Sequence, residues 1–427
     1  MHSQDSPATG FDRLGLAAPI RRGIQAAGFT SPRPIQADAL PAALAGRDVL
    51  GLAQTGTGKT AAFALPILQR LDGPRRPGPR ALIVAPTREL ANQIDAELRM
   101  LARFTAVRTA TVYGGVPLRS QIAALRREPD VLVACPGRLL DLHRQGAVRL
   151  DRVEVLVLDE ADHMFDMGFL PDVRRILAAL PARRQNLLFS ATMPRAIRGL
   201  ADAVLHEPHV AEQAHGAPAA TVAHGLYPVE EKRKLALLER ILADERPRSA
   251  IVFTRTKHRA RRLAVQLERG GRRAVALQGN MSQAQRDRAM QRFRDGRVDV
   301  LVATDIAARG IDVTAVSHVF NFDVPNVPEA YTHRIGRTGR AERDGKACTF
   351  VTADDRAQVR AIERMIGAPI ARLQVPGFTA PEASLDGARR REPARGARAA
   401  APRERAGRGG RGRSRSGGRG RRASRVR

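Results

Sequence analysis

The sequence predicts an α/β protein with two tandem domains built on parallel sheets, followed by a basic C-terminal tail. Eight short apolar runs are each followed by polar or small residues and then a helical pattern. Continuous apolar runs of this length are typical of strands buried on both faces of a parallel sheet. A segment rich in Ala, Pro, His and Gly divides the runs into two groups, and 427 residues suit two or three domains.

The predicted strands and boundaries follow from these runs. The strands are expected at 81–85, 131–134, 155–158 and 186–190 in the first half and at 250–254, 274–277, 299–303 and 319–322 in the second. Parallel sheets bind ligands beyond the carboxyl ends of their strands, so site residues are expected there. The predicted regions are an N-terminal extension at 1–10, a first domain at 11–207, a linker at 208–222, a second domain at 223–376 and a disordered Arg/Gly-rich tail at 377–427.

Composition narrows the classes of partner. The chain has 72 Lys and Arg against 43 Asp and Glu, a net charge of +29, and residues 389–427 alone hold 16 Arg and two acidic residues. Such an excess predicts a polyanion partner. Cys135 and Cys348 are too few for a disulfide framework or a cysteine metal cluster. We see no secretory signal and no apolar run of about 20 residues, so we expect a cytoplasmic protein with no membrane partner.

A glycine-rich segment has the pattern of a phosphate-binding loop. Ala53-Gln-Thr-Gly-Thr-Gly-Lys-Thr60 lies between an apolar run and a helical run, so its backbone N–H groups can bind phosphate. Lys59 would reach the β- and γ-phosphates, and the Thr60 hydroxyl would bind Mg²⁺. The alternative is a turn without a ligand. The candidate nucleotide contacts of the loop are Ala53, Gln54, Thr55, Gly56, Thr57, Gly58, Lys59 and Thr60.

An acidic cluster follows the apolar run at 155–158. In Asp159-Glu-Ala-Asp162, Asp159 can hold Mg²⁺ directly or through water, and Glu160 can orient or deprotonate the attacking water. The alternative is an acidic cluster that only caps a helix. The phosphate loop upstream argues against that alternative. His163 is expected at the edge of the cleft, without a role as a metal ligand.

Further motifs, in order, make the chain resemble the DEAD-box family of ATP-dependent RNA helicases. The resemblance covers about Phe11 to Phe378. Within the family, 253–258, 186–192 and the Arg/Gly-rich tail are similar to the bacterial RhlE branch. The motifs are Gly28-Phe-Thr-Ser-Pro-Arg-Pro-Ile-Gln36, Pro86-Thr-Arg-Glu-Leu-Ala91, Gly114-Gly115, Cys135-Pro-Gly-Arg138, Ser190-Ala-Thr192, Val252-Phe-Thr-Arg255, Gln278-Gly-Asn280 with Gln283 and Arg286, Thr304-Asp-Ile-Ala-Ala-Arg-Gly-Ile-Asp312 and His333-Arg-Ile-Gly-Arg-Thr-Gly-Arg340.

The resemblance implies two RecA-like domains with ATP and Mg²⁺ in the cleft between them. Gln36 would read the adenine edge, with an exposed loop amide as the alternative, and Phe11 would stack on the ring. Arg337 and Arg340 would act as arginine fingers from the second domain. Without the resemblance, those two arginines would suit a solvated basic helix face. Other roles implied by the resemblance are Lys59, Asp159 and Glu160 in catalysis, Asp305 at the ribose, and Ser190, Thr192 and His333 in coupling hydrolysis to domain closure.

The resemblance also implies an RNA path across both domains. Phosphate and ribose contacts would make binding independent of sequence. Two departures weaken parts of the pattern: Arg33 stands where the family usually has Thr, and Cys135 replaces a Thr before the RNA-contacting Gly137. The implied contacts are Pro86, Thr87, Arg88, Gly115, Gly137 and Arg138 in the first domain and Arg255, Gly279, Gln283, Arg286, Thr304, Arg309 and Gly310 in the second.

The predicted function is ATP-dependent, local and non-processive unwinding or remodelling of RNA duplexes and RNA–protein complexes. The expected partners are single-stranded RNA and short duplexes, with ribosomal precursors and RNA-decay machinery as candidates. The tail would tether RNA, with a solubilising role as its alternative. A non-enzymatic RNA annealing factor and a DNA helicase remain alternative functions. A P-loop transporter is disfavoured because the motifs of the second half would then have no role.

Overall fold

Two parallel β-sheets carry the fold. The structure is a computed structural model that describes residues 10–53, 56–212, 222–308, 316–339 and 345–378. Among these residues no helix is both long and apolar enough to cross a lipid bilayer. The predicted α/β class with parallel sheets is confirmed.

The first domain contains a sheet with strand order β3-β4-β2-β5-β6-β1-β7 in the described residues, and every pairing is parallel. Helices pack on both faces of this sheet. The strands are β1 (Val49–Leu52), β2 (Ala81–Val84), β3 (Thr109–Val112), β4 (Val131–Ala134), β5 (Val155–Leu158), β6 (Gln185–Ser190) and β7 (His209–Glu212). The helices are α1 (Ala18–Ala26), α2 (Pro34–Leu44), α3 (Lys59–Leu71), α4 (Arg88–Leu101), α5 (Leu118–Leu125), α6 (Pro136–Arg144), α7 (Ala161–Asp166), α8 (Leu170–Ala178) and α9 (Arg195–Val204).

The second domain repeats the architecture with strand order β10-β11-β9-β12-β13-β8 in the described residues, again with every pairing parallel. The strands are β8 (Val222–Pro228), β9 (Ala250–Phe253), β10 (Ala274–Leu277), β11 (Val300–Ala303), β12 (His318–Asn321) and β13 (Gly345–Val351). The helices are α10 (Lys234–Glu245), α11 (Lys257–Arg269), α12 (Gln283–Arg294), α13 (Asp305–Ala308), α14 (Pro328–Ile335) and α15 (Arg356–Ile366).

The central strands are buried on both sides because each face of the sheet has its own core. In β2, Ala81 and Ile83 pack into one core of the first domain, whereas Leu82 and Val84 pack into the other. Successive side chains of a strand point to opposite faces, so β2, β4 and β5 are apolar at every position. β6 is equally buried but carries Gln185, Asn186 and Ser190, whose side chains are hydrogen-bonded.

The predicted linker at 208–222 is wrong at both ends. His209–Glu212 forms β7 and pairs in parallel with β1, so the first domain extends beyond residue 207. Val222 begins β8, and residues 213–221 lie outside the described part of the chain. β7 escaped prediction because it is an edge strand in which only Ala211 is fully buried. β3 was also missed, for the same reason: buried and half-buried residues alternate along this edge strand.

Candidate active site

The phosphate loop connects β1 to α3 at the carboxyl edge of the first sheet. Gly56 and Gly58 have φ angles of 87° and 93°, which favour glycine, and Gly58 is the N-cap of α3. The predicted strand–loop–helix order is therefore present. Gln54 and Thr55, two of the candidate nucleotide contacts, lie outside the described residues.

Lys59 is buried and points into the loop. Its Nζ donates a hydrogen bond to the carbonyl oxygen of Ala53 at 3.0 Å, and only 6% of the residue is exposed. A buried ammonium needs acceptors, and a loop carbonyl supplies one in the absence of phosphate. Ala53 is itself fixed because its N–H bonds to the carbonyl of Ser190 at 3.1 Å.

Asp159 and Glu160 directly follow β5 and lie beside Lys59. Both carboxylates are buried, and Glu160 has a positive φ of 52°, which is unusual for a residue other than glycine. Burial raises the pKa of Asp159 to about 7, and the negative charge of the neighbouring Glu160 adds to the rise. The positive charge of Lys59 acts in the opposite direction but is outweighed by burial. A buried carboxylate with a raised pKa is stabilised by any cation placed against it.

Glu160 behaves differently because it has several cationic neighbours. Burial acts to raise its pKa, but the His163 ring, the hydrogen bond from that ring, Lys59 and Arg337 outweigh burial and hold the pKa below its usual range. Arg337 belongs to the second domain. Two domains therefore act on one carboxylate.

His163 is a site residue whose role the sequence prediction missed. It was expected at the cleft edge, yet it is 5% exposed and its Nδ1 lies 2.7 Å from Oε2 of Glu160. An ionised carboxylate only accepts, so Nδ1 carries the proton in this bond. The His163 ring also meets the His333 ring of the second domain, with centroids 6.0 Å apart. The available signal was the three-residue spacing from Glu160, which places both side chains at one helical turn.

The last acid of the cluster links it to the end of β6. The Asp162 carboxylate accepts from the backbone N–H of Thr192 at 3.0 Å and from its hydroxyl at 2.9 Å. The Ser190 hydroxyl accepts from the Asp162 N–H at 3.2 Å and donates to the Thr192 carbonyl at 2.7 Å. The predicted coupling residues Ser190 and Thr192 are thus brought into direct contact with the acidic cluster.

Gln36 lies against the phosphate loop. Its Nε2 donates to the carbonyl of Gly58 and its Oε1 accepts from the N–H of Arg33, both at 2.9 Å. The residue is 3% exposed, which excludes the exposed loop amide as an alternative. Arg33, the departure from the family pattern, also reaches the loop, because its Nη1 donates to the carbonyl of Gly56 at 2.9 Å.

Phe11 has no free face for adenine in this structure, contrary to prediction. It is 1% exposed and stacks on Phe29 at a centroid distance of 6.5 Å. Phe29 lines a cavity of about 620 Å³ together with Gln36, Lys59, Thr60, Asp159 and Glu160. That volume is typical of small-molecule sites. The aromatic side chain in the wall of this cavity is therefore Phe29, and Phe11 packs against it from the core.

A second, small cavity of about 20 Å³ lies where the domains meet. Glu160 and His163 line it from the first domain, and His333 and Arg337 line it from the second. Asp305, predicted at the ribose, accepts two hydrogen bonds from Arg334 at 2.6 and 2.7 Å, and its contact with the ribose stays a prediction. Arg340, the second predicted arginine finger, lies outside the described residues.

Comparison with known proteins identifies the family. Residues 33–200 match the DEAD/DEAH box helicase model, and residues 233–342 match the helicase conserved C-terminal domain. A DEAD-box ATP-dependent RNA helicase named CshA from Geobacillus kaustophilus (strain HTA426) is 44% identical over 369 residues, or 86% of this chain and 79% of the relative. The chain belongs to the DEAD-box family of ATP-dependent RNA helicases.

Other relatives and solved structures agree with this DEAD-box assignment. CshA of Bacillus subtilis (strain 168) is 42% identical over 86% of this chain and 74% of the relative. The S. cerevisiae Dbp5 structure bound to RNA and ADP BeF3 has a TM-score of 0.78 and 34% identity over 86% of this chain and 96% of Dbp5. The two RecA-like domains are thereby confirmed. The matched bacterial relatives carry the name CshA, so the predicted RhlE branch is not confirmed.

The RNA-contact candidates of the DEAD-box first domain lie on three segments joined by hydrogen bonds, and of these candidates Pro86 and Thr87 are buried. Thr87 caps α4 by accepting from Leu90 N–H at 3.2 Å. The arginines then link three motifs, because Arg88 donates to the Gly114 carbonyl at 3.0 Å and Arg138 donates to the Val116 carbonyl at 3.2 Å. The other candidates on these same segments are Pro86, Gly115 and Gly137.

Cys135 precedes these RNA-contact candidates at the N-cap of α6, and its side chain makes no capping hydrogen bond. Burial raises the pKa of its thiol to about 12. The thiol is therefore protonated and is not a nucleophile at neutral pH.

In the second domain, Arg286 departs most from its predicted role as an RNA contact. It is 8% exposed, and its Nε and Nη2 lie 2.8 and 2.6 Å from Oε1 of Glu89 in the first domain. The predicted RNA contact is therefore an ion pair between the domains in this structure. Arg255, half exposed, lies 3.5 Å from Asp355.

The remaining RNA-contact candidates of the second domain lie near the carboxyl ends of β10 and β11. Gln283 begins α12 and donates to Asp287 at 2.8 Å, and Thr304 precedes α13. Gly279 is exposed in the turn after β10. Arg309 and Gly310 lie outside the described residues.

Proposed function

We propose that this protein couples ATP binding and hydrolysis to local, non-processive unwinding or remodelling of RNA duplexes and RNA–protein complexes. One observation carries the proposal: Lys59 of the phosphate loop and Arg337 of the second domain both act on the buried carboxylate of Glu160. A catalytic group controlled from both domains makes hydrolysis depend on their relative position. RNA that spans both domains would control the same position.

The nucleotide would occupy the cavity between Phe29 and the acidic pair. Its phosphates would replace the Ala53 carbonyl as the partner of Lys59 and would accept from the backbone N–H groups of the loop. Phe29 supplies an aromatic face for the base. Gln36 retains one N–H and one lone pair beyond its two hydrogen bonds, enough to read a base edge.

The residues around Asp159 fit a magnesium ion bound with the nucleotide. The Asp159 carboxylate is buried with a raised pKa, and the Thr60 hydroxyl lines the same cavity. Carboxylate and hydroxyl oxygens are the ligand type that Mg²⁺ prefers, and Asp159 would bind through a water. When bound, the ion would neutralise charge that develops on the phosphate oxygens.

Glu160 is ionised at neutral pH, so it can accept a hydrogen bond from the attacking water. His163 holds one oxygen of this carboxylate in place through its hydrogen bond. Arg337 would stabilise negative charge on the transferring phosphate, a role worth about 10³–10⁵ in rate in related phosphoryl-transfer reactions. We place Arg340 in the same role on the strength of the motif alone.

The RNA path would run over the surface of Thr87, Arg88 and Arg138 and continue to Arg255 and Gly279. Arginine forks and exposed glycine backbone bind phosphates without reading bases. In this arrangement Arg286 would exchange Glu89 for an RNA phosphate as the domains move.

The test is steady-state ATP hydrolysis with single-stranded RNA and single-stranded DNA of matched length and sequence. We expect stimulation by RNA, and a loss of about 100-fold or more in Lys59→Ala and Glu160→Gln. Lys232→Ala is the control, because that exposed lysine pairs only with Glu230 and should remain within about twofold of the native rate.

Other outcomes favour the alternatives. Equal stimulation by DNA would favour a DNA helicase. Strand annealing without RNA-stimulated turnover would favour an annealing factor. Arg337→Ala should lower turnover far more than ATP affinity, and an equal loss of both would remove the arginine-finger role.

The tail, the branch and the location of the protein remain predictions. Residues 379–427 lie outside the described part of the chain, and the RNA-tether hypothesis rests on the arginines of 389–427. Deleting 389–427 should weaken RNA affinity and flatten its salt dependence, whereas a solubilising tail would change neither. The RhlE resemblance rests on the motifs at 186–192 and 253–258. Binding to ribosomal precursors or RNA-decay machinery and cytoplasmic location are likewise predictions.

A further inference from the structure

The second domain contains a large groove that lies outside the proposed nucleotide site and borders the proposed RNA path, since its lining residues Gln278 and Asn280 flank Gly279. It has a volume of about 800 Å³ and lies along β10, between α11 and α12. β10 is the edge strand of its sheet in the described part of the chain. We propose that this groove is a docking site for an acidic, extended peptide segment of a partner protein.

The rim of the groove is cationic and has no internal counter-charge. Lys257 and Arg261 project from α11, and Arg288 and Arg292 project from α12. None of these four side chains has a carboxylate within ion-pair distance among the described residues. Gathering four like charges without a counter-ion costs free energy, so an anionic partner would be bound by complementarity.

Ion pairing alone does not single out these four cations. Arg259, also on α11 but on its other side, lies 3.2 Å from Asp323, and Arg273 bonds Asp299 through two nitrogens. The exposed Arg262, Arg269 and Arg294 of α11 and α12, however, also have no carboxylate within ion-pair distance among the described residues. The groove cations are distinguished by their position around an apolar floor.

The floor of the groove is apolar and suits a peptide better than a nucleic acid. Val275 and Ala276 of β10 and Met281 are half-buried, and Ala289 is buried beneath them. His258 lines the groove but no Phe, Tyr or Trp does, so its wall lacks the larger aromatic rings on which bases commonly stack. An acidic peptide with alternating apolar residues satisfies both the rim and the floor.

The edge strand offers backbone hydrogen bonds as well. The Arg273 carbonyl accepts from Val300 N–H of β11 at 3.2 Å, so this residue faces the sheet. Backbone polar groups alternate along a strand, and Ala276 therefore directs its N–H and C=O away from β11. An added strand would pair with these groups, as in other cases of β-augmentation.

The groove is separate from the proposed RNA contacts on the same helix. At 100° per residue, Gln285, Arg288, Ala289 and Arg292 form one face of α12. The mean direction of Gln283 and Arg286 differs from that face by about 140°. On α12 a peptide and an RNA strand would therefore contact different faces, and the segment 278–280 is where the two would come close.

The test uses the full-length protein and a fluorescein-labelled 12-residue peptide of alternating Glu and Val. Reversing Arg261, Arg288 and Arg292 to Glu should weaken peptide binding at least tenfold. The control reverses Arg262, Arg269 and Arg294, exposed arginines of the same two helices that do not line the groove, and should weaken binding less than twofold. Both variants have the same net charge and the same tail.

Two further measurements complete the test. A benzophenone-bearing form of the peptide should crosslink to residues 257–292 of the native protein, and crosslinks confined to the arginine-rich tail would overturn the proposal. A 12-nucleotide single-stranded RNA should bind both triple variants equally. If the groove variant lost RNA binding and kept peptide binding, the groove would belong to the RNA path and the proposal would fail.

Discussion

Gln36 gives the sharpest prediction because its amide connects the start of α2 to the phosphate loop. Its Nε2 donates to Gly58, the residue immediately before Lys59, and its Oε1 accepts from Arg33, both at 2.9 Å. Neither bond involves a nucleotide base. We therefore predict that Gln36→Ala weakens nucleotide binding whatever the base, in addition to any effect on adenine recognition.

The magnitude follows from the hydrogen bonds that are lost. A neutral hydrogen bond contributes about 0.5–1.5 kcal/mol, and a buried carbonyl left without its donor costs about 1–3 kcal/mol. The bond to Gly58 positions the backbone groups that bind phosphate, so its loss should cost about 1–3 kcal/mol of affinity. That range corresponds to about 5- to 150-fold in the dissociation constant.

The assay is equilibrium binding of ATP and of GTP to native protein and to Gln36→Ala. GTP isolates the contribution of the loop because it lacks the adenine edge, and any additional loss for ATP measures adenine reading. Gln121→Ala is a matched control, since the buried Gln121 amide also bonds backbone on both sides, accepting from Tyr113 N–H at 2.9 Å and donating to its carbonyl at 3.1 Å. Both variants should lose thermal stability. An unchanged GTP affinity in Gln36→Ala would refute the reasoning.

Three further predictions concern packing, domain contact and catalysis. Gly23→Ala should destabilise the protein by about 1–3 kcal/mol in chemical denaturation, because the new Cβ would lie 2.0 Å from a backbone oxygen of α4. Gly199→Ala, also within a helix but with no atom within 4 Å of its Cβ, should be neutral or stabilising. A double-mutant cycle on Glu89→Ala and Arg286→Ala should show a coupling of about 0.5–3 kcal/mol in unfolding, and additivity would remove the ion pair as a link between domains. His163→Leu should lower kcat with little change in the KM for ATP. His163→Asn keeps a donor near the Nδ1 position and should restore much of the lost kcat. Equal kcat in the two variants would contradict the role of His163 in positioning Glu160.

Burial on both faces explains only part of the outcome of strand prediction. β2 and β5 are apolar at every position because the two cores of the domain take alternate side chains, and the apolar runs at 81–85 and 155–158 predicted them. β13 is also buried along most of its length, but Gly345, Lys346 and Thr349 interrupt its apolar pattern, and neither β13 nor β8 was predicted. β3 and β7 lie at the sheet edges, and only alternate positions of β3 and one position of β7 are fully buried. The four residues of β7 do not differ in composition from the predicted linker around them. Only their pairing with β1 identifies them as a strand.

The site was predictable where chemistry fixes both residue type and spacing. The phosphate loop, the acidic pair and the serine and threonine at the end of β6 meet as their motifs indicated. Phe11 could not be placed from sequence because its contact with Phe29 depends on tertiary packing. The same holds for Arg33, whose hydrogen bond to Gly56 crosses between α2 and the loop. Side chains that bridge elements leave no periodic signal in the chain.

The net charge of the chain can be interpreted only once the structure shows which cations have ion-pair partners. The sequence shows an excess of cations without indicating which ones have internal partners. In the structure Arg334 forms an ion pair with Asp305, and Arg286 forms one with Glu89. Neither arginine therefore contributes a free charge to the surface of the domains. The four cations of the β10 groove have no ion-pair partner among the described residues, and the same holds for the exposed Arg262, Arg269 and Arg294 of the same two helices. The groove cations differ from these in position, because they surround an apolar floor beside an edge strand. The comparison of the two triple variants therefore separates the effect of position from the effect of charge.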